Sequence, residues 1–144
     1  MNFARTIAAA ALALGFAGAA TAADNLPPIE TSNGVSFLSG GIGLDESEAI
    51  KAAQKDYSLS LLFAQTRRGE YLSDVKVRIT DKSGKTLLET VAQGPMLLAK
   101  LPAGEYKVSA EHEGKMLVKT LTIGAKGTTH AAFVWRPAAK ATIE

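Results

Sequence analysis

The chain contains no cysteine. That absence removes disulfide staples, a thiol nucleophile and a lipid-modified cysteine behind an export signal, so a folded part must stand on hydrophobic burial. Histidine is scarce as well: His112 and His130 are the two in 144 residues. Neither belongs to a His-x-x-x-His pair, which would set two imidazoles on one helix face. A Gly-x-Ser-x-Gly elbow is missing, and so is a Gly-Lys-Ser/Thr phosphate loop. An excess of one charge is missing too. The formal net charge is +2, and Arg67-Arg68 is the one adjacent basic pair. Such scattered charge argues against a nucleic-acid groove or an anionic membrane surface as partner. After residue 23 no apolar run is long enough to span a bilayer.

What is present begins with a cationic head at Arg5, an uncharged stretch over 6–23 rich in Ala and Leu, and Ala20-Thr21-Ala22. Small residues in the A-x-A arrangement are what a signal peptidase accepts, so residues 1–22 are expected to be a signal peptide cleaved after Ala22 or Ala23, placing the mature chain in the periplasm or outside the cell. Residues 23–33 carry Pro27-Pro28 and few large apolar side chains, which predicts an extended tether. Residues 34–56 are expected to hold a short strand at Val35-Ser36-Phe37-Leu38, a glycine turn, and a helix over 46–55. Asp45-x-x-Glu48 has the form of a capping box, and Ile50, Ala53 and Tyr57 fall on one helical face.

From Tyr57 the apolar period changes to two. Tyr57, Leu59, Leu61 and Phe63 alternate with Ser58, Ser60, Leu62 and Ala64, and Val75, Val77 and Ile79 alternate with Lys76, Arg78 and Thr80. Further strands are expected over 86–91, 96–101, 106–112, 116–123 and 128–135, separated by Gly- and Pro-containing turns. Seven strands at this spacing predict a mainly β fold, a seven-stranded antiparallel β-sandwich of prealbumin-like or Ig-like type over 57–136, preceded by one short helix and followed by a tail over 137–144. Leu61-Leu62-Phe63 and Met96-Leu97-Leu98-Ala99 are apolar on both faces. Strands of that kind are covered on both sides, so either the helix or a second copy in a homodimer is expected over Leu62 and Leu98.

Leu101-Pro102-Ala103-Gly104-Glu105-Tyr106-Lys107-Val108 resembles the L-P-x-G-x-Y-x-V segment of carboxypeptidase regulatory-like, transthyretin-like domains. Leu72 to Asp81 and Gly114 to Gly127 are similar to that family's neighbouring strands and hairpin. The resemblance covers Tyr57 to Trp135 and marks Leu101, Pro102, Gly104 and Tyr106 as a structural motif. Together with the segment before it, the chain looks similar to small periplasmic proteobacterial proteins of that type. The resemblance implies a fold and names no activity.

Candidate chemistry is sparse. Gly40-Gly41-Ile42-Gly43 precedes a helix, but Asp45 and Glu46 place acids where a phosphate would sit, so a structural turn is expected. Glu111, His112 and His130 could offer nitrogen and oxygen ligands to zinc or copper if their strands paired; the expectation is no metal site and no cofactor. Arg67, Arg68 and Tyr71 form a loop able to hold an anionic or sugar ligand by forked hydrogen bonds and stacking. The hydroxyisourate hydrolases of the transthyretin fold carry a C-terminal Tyr-Arg-Gly-Ser and an N-terminal histidine; this sequence ends Lys140-Ala141-Thr142-Ile143-Glu144 and has no histidine before His112. The resulting expectation is a non-catalytic module, not an enzyme, that binds a protein or cell-envelope component. The alternatives are a hydrolase on the same fold or a metal-binding protein using His112 and His130.

Overall fold

In a computed structural model of the chain, residues 25–66 and 70–136 are described. The expected signal peptide, Arg67, Arg68 and the 137–144 tail lie outside the described residues. Nine strands form two sheets: β1 (Glu30–Ser32), β2 (Val35–Gly40), β3 (Leu59–Gln65), β4 (Val75–Asp81), β5 (Thr86–Ala92), β6 (Met96–Ala99), β7 (Gly104–His112), β8 (Lys115–Ile123) and β9 (Thr129–Trp135). One sheet runs β1-β2-β6-β3-β9 and the other β5-β4-β7-β8. Among the described residues one α-helix, α1 (Leu44–Ala53), followed by a 3-10 turn at Gln54–Asp56, lies between β2 and β3. It therefore precedes the seven expected strands, all of which form.

Two features depart from the seven-stranded antiparallel expectation. First, β9 pairs with β3 in parallel, with Leu59 opposite Thr129 and Gln65 opposite Trp135. Side-chain alternation reports which face is buried and says nothing of strand direction, so this pairing was invisible in the pattern. Second, residues 30–40 are part of the sandwich. Asn33 and Gly34 both take positive φ, 49° and 80°, in a two-residue connection that lets β1 fold back on β2 with Ser32 opposite Val35. β2 then pairs with β6. Of the expected tether over 23–33, Glu30–Ser32 forms β1 and Leu26 packs against buried side chains.

Between the sheets lies the main core. Leu59, Leu61, Phe63, Val75, Val77, Ile79, Leu97, Val108, Ala110, Phe133 and Trp135 all point into it, the inward rows of strands whose outward partners are mostly polar. Phe63, Phe133 and Trp135 form a tilted aromatic cluster with centroids 6.0–6.4 Å apart. The Trp135 indole donates to the Lys115 carbonyl at 2.9 Å, which satisfies its N–H at the rim.

A second, smaller core occupies the outer face of the five-stranded sheet. Leu38, Ile50, Tyr57, Met96 and Leu98 are buried together, with Ala53 and Leu62 packed against them. α1 therefore covers Leu98, while Leu62 is only partly buried at the edge of this cluster. Ile50 is completely buried and is the one buried residue of the helix. Ten residues are too few for a helix to persist alone in water, so this side chain anchors it.

The helix start differs from the expected capping box. α1 begins at Leu44, and its N-cap position, Gly43, makes no side-chain hydrogen bond. The carboxylate of Glu46 instead accepts from the backbone N–H groups of Gly41 at 2.7 Å and Ile42 at 3.3 Å. The amides a phosphate would need are thereby occupied, in line with the structural reading of the glycine turn.

Candidate functional site

A groove of about 800 Å³ opens between α1 and the part of the five-stranded sheet that the helix leaves uncovered. Its floor is built by strand alternation. On β3 the inward residues Leu59 and Leu61 go to the main core, which turns Ser60 and Leu62 outward. On the parallel neighbour β9, His130 stands opposite Ser60 and Ala132 opposite Leu62. Paired positions share a face, so Ser60 and His130 lie side by side across a strand spacing of about 4.8 Å. Leu44, Ser47, Lys51 and Gln54 form one wall, and Tyr71, Pro95 and Met96 close the far end.

The groove is polarised along the strands. Ser60, His130, Gln54 and Lys51 occupy one end. Two residues further, about 7 Å along the strand, Leu62 and Ala132 begin an apolar end completed by Leu44, Met96, Pro95 and Tyr71. Leu44 and Tyr71 are 73% and 68% exposed. Large apolar side chains left open beside a concavity mark a surface that takes up a ligand or partner.

Local hydrogen bonds hold the polar end in place. The Gln54 side-chain amide donates to the Ser60 hydroxyl oxygen at 3.0 Å, and Ser60 is buried. Thr128, two residues before His130, places its hydroxyl within reach of two carbonyls, Gln54 at 2.9 Å and Tyr57 at 2.7 Å. The Thr129 N–H donates to the Ser58 carbonyl at 2.8 Å. The turn carrying Gln54 and the strand carrying His130 are thus tied at their bases, which fixes their separation.

The residues singled out from sequence are divided by the fold. Tyr71 lines the groove, tied by a bridge to Ala64; its expected companions Arg67 and Arg68 lie outside the described residues. His130 lines the groove, but His112 does not. His112 ends β7 in the other sheet, where its ring meets Trp135 edge-on at 5.9 Å and its Nε2 lies 3.8 Å from the Glu113 carboxylate. β7 pairs with β4 and β8, never with β9, so Glu111, His112 and His130 do not converge. Among the described residues no cluster of three or more His, Asp or Glu could hold a metal ion. Leu101, Pro102, Gly104 and Tyr106 do form a turn: Gly104 opens β7 at φ 155°, and buried Tyr106 donates back to Pro102. Gln54, Ser60, Lys51 and Met96 were missed. The available signal was a strand apolar on both faces whose outward row also carried a serine.

No family model matches the chain, and no curated protein matches it. Among solved structures it is similar to that of Klebsiella pneumoniae 5-hydroxyisourate hydrolase, with 21% identity over 58% of this chain and 92% of that chain and a TM-score of 0.48. The likeness concerns the fold. The expectation of a non-catalytic binding module that is not an enzyme is withdrawn beside this finding, since the similar structure is titled a hydrolase. The reaction in that title is the Klebsiella protein's own.

Proposed function

We propose that the groove under α1 binds a small molecule with a substantial apolar part and hydrolyses it, with His130 as general base. One observation carries the reading: Ser60 and His130 are neighbours in parallel register at the polar end of an otherwise apolar groove. His130 takes a proton from water as the water oxygen adds to an ester-type carbonyl carbon. The Ser60 hydroxyl, whose oxygen already accepts from Gln54, keeps its own proton free to donate to the oxyanion that forms. The imidazolium then returns the proton to the departing alkoxide as the carbon–oxygen bond breaks, giving an alcohol and a carboxylic acid, which loses its remaining proton to bulk water to become a carboxylate.

A panel of p-nitrophenyl esters with acyl groups of increasing size tests this. The expected result is turnover that falls about 100-fold or more in His130→Gln and about tenfold in Ser60→Ala, with circular dichroism unchanged. Equal rates in the wild type and His130→Gln would sink the reading.

Two finer points belong to the same reading. The turn from Leu101 to Tyr106 supports a relationship to carboxypeptidase regulatory-like domains, and the composition of residues 1–23 supports export with cleavage after Ala22 or Ala23. N-terminal sequencing of protein recovered from a periplasmic fraction checks the second; an intact Met1 refutes it.

A further inference from the structure

The charge lining the groove is of one sign. Among the described residues that line it, Lys51 is the one with a permanent charge, and neither Asp nor Glu is present. Of the acids of α1, Glu46 is engaged with the Gly41 and Ile42 amides, and Glu48 meets Lys51 at 3.9 Å with both side chains about 60% exposed. An ion pair that open contributes little and leaves the Lys51 ammonium available to a ligand.

The same end of the groove supplies the Ser60 hydroxyl and the Gln54 amide, while the opposite end supplies Leu44, Leu62, Met96, Pro95 and Tyr71 and, among the described residues, no charge. A cationic, hydrogen-bonding end about 7 Å along the strands from the start of an apolar end matches one kind of small molecule. We infer that the groove selects monocarboxylates with an apolar tail, the carboxylate lying toward Lys51, Ser60 and His130 and the tail on Leu44, Leu62 and Met96. Resting on the hydrolytic reading, this identifies the acyl half of the substrate and its product, a carboxylate freed where the Lys51 ammonium stands. A partly desolvated ammonium–carboxylate contact sets charge preference more than total affinity, so the tail provides binding and Lys51 provides discrimination.

Calorimetric titration of the full chain with 4-phenylbutyrate, 4-phenylbutyramide and 4-phenylbutylamine tests the charge preference. The expected order is carboxylate tightest, amide about tenfold weaker, amine weakest. Lys51→Gln, a change at an exposed position, brings carboxylate affinity down to that of the amide and leaves the amide unchanged. Leu44→Ser weakens carboxylate and amide alike. Binding of the amine or amide as tight as that of the carboxylate, indifference of the carboxylate to Lys51→Gln, or no binding of any of the three overturns the inference. The two readings fail separately: carboxylate-selective binding without ester turnover removes the catalytic reading alone, and ester turnover inhibited equally by all three compounds removes this one alone.

Discussion

Tyr106 reaches back across the turn that precedes its own strand and donates its phenolic proton to the carbonyl of Pro102 at 2.7 Å. The ring fills the end of the main core, 7% exposed, and the hydroxyl satisfies a carbonyl that the turn leaves out of the sheet. Tyr106→Phe keeps the ring and removes the bond. The expected loss is about 1 kcal/mol, read as a lower urea midpoint with an unchanged slope. A midpoint equal to the wild type would mean that water replaces the hydroxyl at no cost.

Stability should fall at both extremes of pH, for opposite reasons. Asp81 accepts from the Ser83 hydroxyl at 2.7 Å, the Ser83 N–H at 2.9 Å and the Lys85 N–H at 3.0 Å, and the Ser83 hydroxyl bond leads in holding its carboxyl below the usual range. A depressed folded value gives a contribution that is whole above the ordinary aspartate value, about 3.9, and is lost as pH falls through the folded one. Tyr57 and Tyr106 are raised, in both cases first by burial and then by a nearby carboxylate, Asp56 and Asp81 respectively. Their contribution is whole below about pH 10 and disappears as pH climbs through the folded values. Urea midpoints measured at pH 3, 7 and 11 should be highest at 7, and Asp81→Ala should flatten the acid limb; an unaltered acid limb refutes the assignment to Asp81.

Gly94, in the β5–β6 connection, lies against the backbone of Gly40 at the end of β2. A Cβ at position 94 would overlap the Gly40 carbonyl group, and a backbone obstacle cannot swing aside as a side chain does. Gly94→Ala is expected to cost about 1–3 kcal/mol or more, with thermal unfolding as the measurement. A control lies at Gly84, where an added Cβ meets nothing within 4 Å and only the positive φ of 90° resists substitution.

Lys119 sits in the middle of β8, the free edge of the four-stranded sheet, on the inward row with Leu117, Leu121 and Ile123. Its ammonium lies 5.8 Å from the Phe133 ring centroid. An inward charge on an edge strand is a device against pairing with a second molecule. Lys119→Val should therefore increase self-association, seen as a shift to larger mass in gel filtration at raised concentration. Unchanged elution would assign the protection to other features of the edge.

Much of the architecture could be read from the residues, because the period-two pattern from Leu59 to Trp135 is imposed by burial between the sheets and survives in the sequence. The two-faced strand around Leu98 even announced its cover. β1 went unread because its three residues, Glu30–Ser32, bury almost nothing and leave no pattern; Asn33-Gly34 was the cue that could have exposed it. The groove was least legible. It depends on the pairing of Ser60 with His130, residues 70 positions apart and parallel, and on a helix whose placement rests on the single buried side chain of Ile50. Neither is a spacing within one segment, so local motifs such as Asp45-x-x-Glu48 drew attention that belonged to Glu46 and Gln54.

The parallel partnership of β3 with β9 also has a bearing on how the chain folds. β3 lies far before β9 along the chain, yet β9 is one of its two hydrogen-bonded neighbours, so the five-stranded sheet stays incomplete, with β3 at its border, until β9 docks. Closing so long a loop before any reward from pairing is slow, on the millisecond-to-second scale for such topologies. The groove, whose floor spans those two strands, comes into existence only once β9 has paired with β3, and a chain lacking β9 would lose His130 and the surface that presents Ser60 together.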